Sequence, residues 1–96
     1  MLIKGIHPDS RDEHGNTILI VGAQNGNKRI VKIALRYGAQ INMFNNMGNT
    51  ALHFTKEYNY LDIADYLTHK GADQEIKNLR GVSASEGIRK NNIKTK

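Results

Sequence analysis

The sequence predicts an all-α chain with short β-hairpin loops, a helical solenoid built by stacking one small unit on itself. Three observations lead there. The stretch NNMGNTALHF from Asn45 restates DEHGNTILIV from Asp12, and a degraded copy, NLRGVSASEG, begins at Asn78, each 33 residues after the last. Glycines keep the same interval, as Gly5, Gly38 and Gly71 and again as Gly15, Gly48 and Gly81. Amphipathic runs recur with it, at 28–37 and 61–70. Self-similarity at such a period marks a unit that cannot bury its own apolar face and must stack on its copies.

Each element has a local cause. Thr17, Thr50 and Ser83 stand just before helical runs, where a hydroxyl accepts from the unpaired amides of a first turn, and Ser83 with Glu86 has the spacing of a capping box. They are expected to start the first helix of each unit. Those helices are short and carry small residues: Leu19, Gly22 and Ala23 in one copy, Leu52 and Thr55 in the other. Ile30, Val31, Ile33, Ala34 and Leu35, then Ile63, Ala64, Tyr66 and Leu67, give the second helices one buried face. Gly38 and Gly71 end those helices, since a left-handed terminal residue is freely adopted only by glycine. Asp12, Asn45 and Asn78 each stand three residues before a glycine and open a tight turn, so the segments between units suit protruding hairpins.

The stretches GNTILIVGAQNGNKRIVKIALRYGAQIN and GNTALHFTKEYNYLDIADYLTHKGAD resemble ankyrin repeats, whose hallmarks are T-P-L-H near the first helix and G-A-D-x-N after the second. On that resemblance the chain divides into the end of a repeat at 1–11, complete repeats at 12–44 and 45–77, a truncated repeat at 78–88 and a basic tail at 89–96. Ile18 and Ala51 take the usual proline position, and Ile20 replaces the histidine that His53 keeps. Thr55 and Lys56 stand where two alanines are usual, and Tyr58, Asn59 and Tyr60 replace the Asn-Gly-His of the inter-helix loop.

The chain has 96 residues, no cysteine and a formal charge of +5, of which Arg89, Lys90, Lys94 and Lys96 supply four in the terminal RKNNIKTK. That segment reads as a disordered tail. Without cysteine the core has neither disulfide nor thiolate metal site, which makes an intracellular, cytoplasmic or nuclear, setting the expectation. The longest apolar run is too short to span a bilayer. No constellation for catalysis emerges: His7, Asp9, Asp12 and His14 lack paired helix-face spacing, no serine elbow or phosphate-cradling glycine loop is present, and no cofactor is expected. His53 resembles the ankyrin histidine that bonds local backbone and the threonine hydroxyl.

The resemblance implies a noncatalytic module that binds another protein through hairpin tips and the concave face of the first helices. Carried over by position, the tips supply Arg11, Glu13, His14 and Asn16, then Phe44, Asn46, Met47 and Asn49, then Lys77, Leu79 and Arg80; the helices add Gln24, Asn25, Glu57 and Tyr58. Phe44, Met47, Tyr58 and Leu79 are the expected anchors, clustered around the second repeat. Two other readings stay open: polyanion or acidic-membrane association through Arg80 and the tail cations, and a rigid spacer. On the convex side Lys28, Arg29, Lys32 and Arg36 line one copy, Asp62 and Asp65 take in the next copy the places of Arg29 and Lys32, and ion pairs are expected across the units. The opening residues fall within a helix, which suggests a piece of a longer protein, with Leu2, Ile3 and Ile6 on a broken face available for self-association.

Overall fold

Two αα-hairpins follow one another along the chain in the computed structural model, which describes residues 7–86. They comprise α1 (Ile18–Gln24) with α2 (Lys28–Arg36), and α3 (Ala51–Glu57) with α4 (Leu61–His69). Thr17 and Thr50 start the first helices as their chemistry requires: their hydroxyls accept from the Ile20 and His53 amides, each at 3.2 Å. Asn27 caps α2 through the Ile30 amide at 3.1 Å. Tyr60, at the same place before α4, makes no side-chain cap. Its ring lies instead against Gly26 of the preceding unit, so close that a Cβ there would stand 2.9 Å from Tyr60 Cζ. Asn59 takes a positive φ of 63°, matching the 66° of Gly26 in the first copy.

The second helices end in a Schellman arrangement. Gly38 adopts φ +94°, its amide reaches Leu35 O at 3.1 Å, and the Ala39 amide reaches Ala34 O at 3.0 Å. Gly71 and Ala72 repeat the pattern on Thr68 and Leu67, both at 3.0 Å, so the last carbonyls of α2 and α4 are satisfied without a further turn. Among the described residues the hairpins carry no strand; each reduces to a single antiparallel bridge, Phe44 with Thr50 and Lys77 with Ser83. Ser83 and Glu86 close part of the expected capping box, with the Ser83 amide donating to Glu86 Oε1 at 3.1 Å, and 84–86 form a turn.

The core lies between the helices. Leu19, Ile20, Leu52 and Leu67 are fully buried, each contributing about 1.5–3 kcal/mol. α1 packs directly on α3, whereas α2 and α4 stand farther apart. Close packing does not suffer from the threonine where alanine is usual: Thr55 is fully buried and its hydroxyl donates to Leu52 O at 3.1 Å.

His53 ties one unit to the next. Its Nδ1 accepts from the Thr50 amide at 3.0 Å, which leaves the proton on Nε2, 2.9 Å from Val82 O in the following hairpin. Burial holds the ring's pKa below the ordinary histidine value, against the opposing pull of the Val82 carbonyl. Above about pH 6.5 the ring is neutral in both folded and unfolded chains. Below that, the unfolded chain takes up a proton that the folded ring refuses, so stability falls with pH until the lower folded value is passed.

Two outcomes follow for urea unfolding. His53→Ala is expected to cost about 3 kcal/mol by orphaning buried polar partners, and to flatten the loss of stability between pH 7.5 and 5.5. Gly38 and Gly48 separate two roles. A Cβ on Gly38 meets nothing within 4 Å, while one on Gly48, at φ +81°, meets the Leu79 backbone nitrogen at 2.9 Å. Gly38→Ala should therefore cost only about 1–2 kcal/mol of left-handed strain, and Gly48→Ala clearly more.

Candidate interaction surface

The tips of the hairpins are built by one repeated device. Asp12 Oδ1 accepts from the His14 and Asn16 amides at 2.8 and 2.9 Å. Asn45 Oδ1 does the same for Met47 and Asn49, both at 3.0 Å, and Asn78 Oδ1 for Arg80 and Val82 at 2.9 and 3.1 Å. The Asn16 and His14 amides hold the Asp12 carboxyl below the usual carboxylate range. Successive tips then stack. Asn45 Nδ2 donates to Asn16 Oδ1 at 2.9 Å, and Asn78 Nδ2 to Asn49 Oδ1 at 2.7 Å. Backbone bonds run beside them: the Asn46 amide to His14 O and the Leu79 amide to Met47 O, both at 3.0 Å.

This frame sorts the expected partner-binding residues. Asn16, Asn46 and Asn49 spend side-chain groups on the stacking itself, Asn46 Nδ2 reaching Glu13 O at 3.1 Å. Arg11, Glu13, His14, Lys77 and Arg80 are exposed along the tips, with Glu13 and His14 3.5 Å apart and Arg11 directed at the Met43 sulfur. Phe44, Met47 and Leu79 are 48%, 53% and 72% exposed, and the Leu79–Met47 backbone bond sets the last two on adjacent tips. Tyr58 is placed apart from them. It caps the C-terminal end of α3, the end away from the hairpin, in a row of rings with Phe54 and Tyr60 at 6.1 and 5.9 Å. Gln24 and Glu57 are half-buried, and Asn25 is exposed, its amide folded onto Val21 O at 3.0 Å. The four expected anchors thus divide into a tip group of three and a separate aromatic group.

On the convex side one of the expected ion pairs joins the units, Asp62 with Lys28 at 3.2 Å, and among the described residues none joins Lys32 to Asp65. Lys32 lies over the Tyr66 ring instead, 5.7 Å from its centre. Tyr37 and Leu61 are also exposed, a feature that their places at the ends of amphipathic runs do not signal. The tail cations Arg89, Lys90, Lys94 and Lys96, and Leu2, Ile3 and Ile6, lie outside the described residues. No described helix is long and apolar enough to cross a membrane, and no described group of three His, Asp or Glu residues could hold a metal.

Asn45→Ala should lower unfolding stability by about 2 kcal/mol, because two tip amides and Asn16 Oδ1 lose their partner. Asn45→Asp keeps the oxygen that both tip amides reach and loses only the bond to Asn16 Oδ1, so it should cost less than Asn45→Ala; chemical denaturation of the two variants reads the difference.

Comparison with known proteins agrees with this architecture. The family model described as Ankyrin repeats (3 copies) matches residues 1–78. Protein phosphatase 1 regulatory subunit 27 of Homo sapiens is 37% identical over 83 residues, covering 86% of this chain and 51% of the subunit. An ankyrin repeat-containing protein of Schizosaccharomyces pombe is 32% identical over 91 residues, covering 94% of this chain and 42% of that protein. The crystal structure of the ankyrin repeat domain of Bcl-3 superposes with a TM-score of 0.80 at 28% identity, covering 83% of this chain and 36% of that one. The chain thus spans about half, or less, of the proteins it is similar to. Ankyrin repeats are in general protein-interaction modules without catalysis of their own. With its paired helices, glycine stops and stacked tips, this chain belongs to the ankyrin-repeat family.

Proposed function

We propose that the chain is a noncatalytic module that captures another protein on its hairpin tips and on the concave face made by α1 and α3. The observation that carries this reading is the tip group. Phe44, Met47 and Leu79 hold apolar side chains in water at about half exposure or more, on a backbone fixed by the Phe44–Thr50 bridge, the Met47 amide to Asn45 Oδ1 and the Leu79 amide to Met47 O. Anchors held rigid before binding lose little entropy on association, which is what an interaction site gains from such a frame. Arg80 and Lys77 beside Leu79 would favour acidic residues at the edge of the partner's contact. The phosphatase regulatory subunit among the similar proteins makes protein phosphatase 1 the first partner to try.

The test is affinity capture followed by calorimetric titration of the partner, with protein phosphatase 1 titrated directly as the first case. A Phe44→Ala, Met47→Ala, Leu79→Ala triple variant is expected to lose about 2 kcal/mol or more of binding, roughly thirtyfold in Kd, with its melting temperature nearly unchanged. Tyr58→Ala separately asks whether the aromatic group belongs to the same surface. A triple variant that binds as well as the wild type sinks the proposal, and a chain that captures nothing under any condition favours the spacer reading.

A further inference from the structure

The outer faces of α2 and α4 carry residues at four-residue intervals that face each other across the gap between the units. Lys28, Lys32 and Arg36 form the row on α2, and Asp62, Tyr66 and Lys70 the row on and just after α4. Because α1 sits on α3 while α2 and α4 stand apart, the rows border a cleft of about 460 Å³. Leu35, Ala39 and Ile41 give it an apolar wall, and Lys32, Arg36, Tyr66 and Lys70 a polar rim.

The charge in that rim is one-sided. Lys28, Lys32 and Lys70 bring their Nζ atoms to 5.6, 5.7 and 5.6 Å from the centre of one ring, Tyr66. Asp62 answers Lys28 alone. Among the described residues no carboxylate lies within ion-pair distance of Lys32, Arg36 or Lys70. The C-terminal ends of α2 and α4 offset part of this excess, by roughly half a charge each. About two positive charges remain, against an apolar wall.

We propose that this cleft binds a free organic phosphate monoester. Its phosphate sits among Lys32, Arg36 and Lys70, and its carbon body lies on Leu35, Ala39, Ile41 and the Tyr66 ring. A monoester carries close to two negative charges at neutral pH, which matches the net charge of the rim. The Arg36 guanidinium offers a planar fork to two phosphate oxygens, while the lysines act as mobile point charges. The volume falls in the range of small-molecule sites, and an inorganic anion would leave the apolar wall wet. None of the lining residues belongs to the tip group of Phe44, Met47 and Leu79, so ligand binding here does not use the side chains proposed to capture a protein.

The experiment is a 1H–15N NMR titration of the whole chain at constant ionic strength, with phenyl phosphate as the probe and inorganic phosphate alongside. Phenyl phosphate is expected to saturate shifts at Lys32, Leu35, Arg36, Ala39, Ile41, Tyr66 and Lys70, at least tenfold tighter than inorganic phosphate. Arg36→Gln should weaken it at least fivefold, and Arg29→Gln, on the same helix but outside the cleft, by less than twofold; both substitutions are exposed and should leave the melting temperature alone. Unsaturable shifts spread over all surface cations, equal affinity for inorganic phosphate, or an Arg36→Gln variant that binds normally would each overturn the proposal. A parallel arm uses phosphatidylcholine vesicles with and without phosphatidic acid. Arg36-dependent binding seen only on the acidic vesicles would replace the free ligand with a lipid headgroup and overturn the inference as stated.

Discussion

Everything in this molecule depends on how closely one hairpin tip lies on the next. The tips approach until a Cβ on Gly15 would collide with Asn46 Oδ1, and one on Gly48 would stand 2.9 Å from the Leu79 nitrogen. At that distance backbone amides bond directly to the carbonyls of the preceding tip, and the asparagine side chains close the same gap. A spacing fixed at the tips is fixed for the helices hanging from them. That is why α1 can meet α3 over residues as small as Ala23 and Ala51, and why so thin a core suffices. The His53 to Val82 bond repeats the constraint from inside the unit.

The same constraint divides the two faces. Where backbones touch, at the tips, the units leave no space even for a Cβ at Gly15 or Gly48, and the partner proposed above would lie across them. Where the outer helices diverge, side chains fill the gap incompletely, and the filling is polar and cationic. One geometric fact therefore provides both a broad surface suited to a macromolecule and a small cleft suited to an anion.

Much of this was legible in the residues because its causes are local. Thr17 and Thr50 cap helices through bonds that span three residues, and Gly38 and Gly71 end them through a backbone region that side chains resist. The exposure of Phe44, Met47 and Leu79 also follows from their place in a protruding turn. What crosses from unit to unit was harder to read. Aligning copies at the repeat interval places Arg29 over Asp62 and Lys32 over Asp65, yet equivalent positions share a face without being nearest neighbours, and the bond forms from Lys28. The asparagine ladder was hidden for the same reason: Asn45 and Asn16 are 29 residues apart, which is not the period. Tyr58 looked like a neighbour of Phe44 by repeat number, but the length of α3 separates them.

The ladder is also directional. Every amide in it points from a later tip back to an earlier one, so the donor must be an asparagine and the acceptor must lie four residues beyond the preceding turn's first residue. Asp12 opens its turn with a carboxylate, which has no hydrogen to hand upstream. Val82 occupies the acceptor's place in the turn opened by Asn78, and its hydrocarbon side chain can receive no such bond. Among the described residues the side-chain ladder therefore has two rungs, Asn45 to Asn16 and Asn78 to Asn49. A neighbouring turn of the same make would find no donor in Asp12 and no side-chain acceptor in Val82, unless both were first exchanged for asparagine.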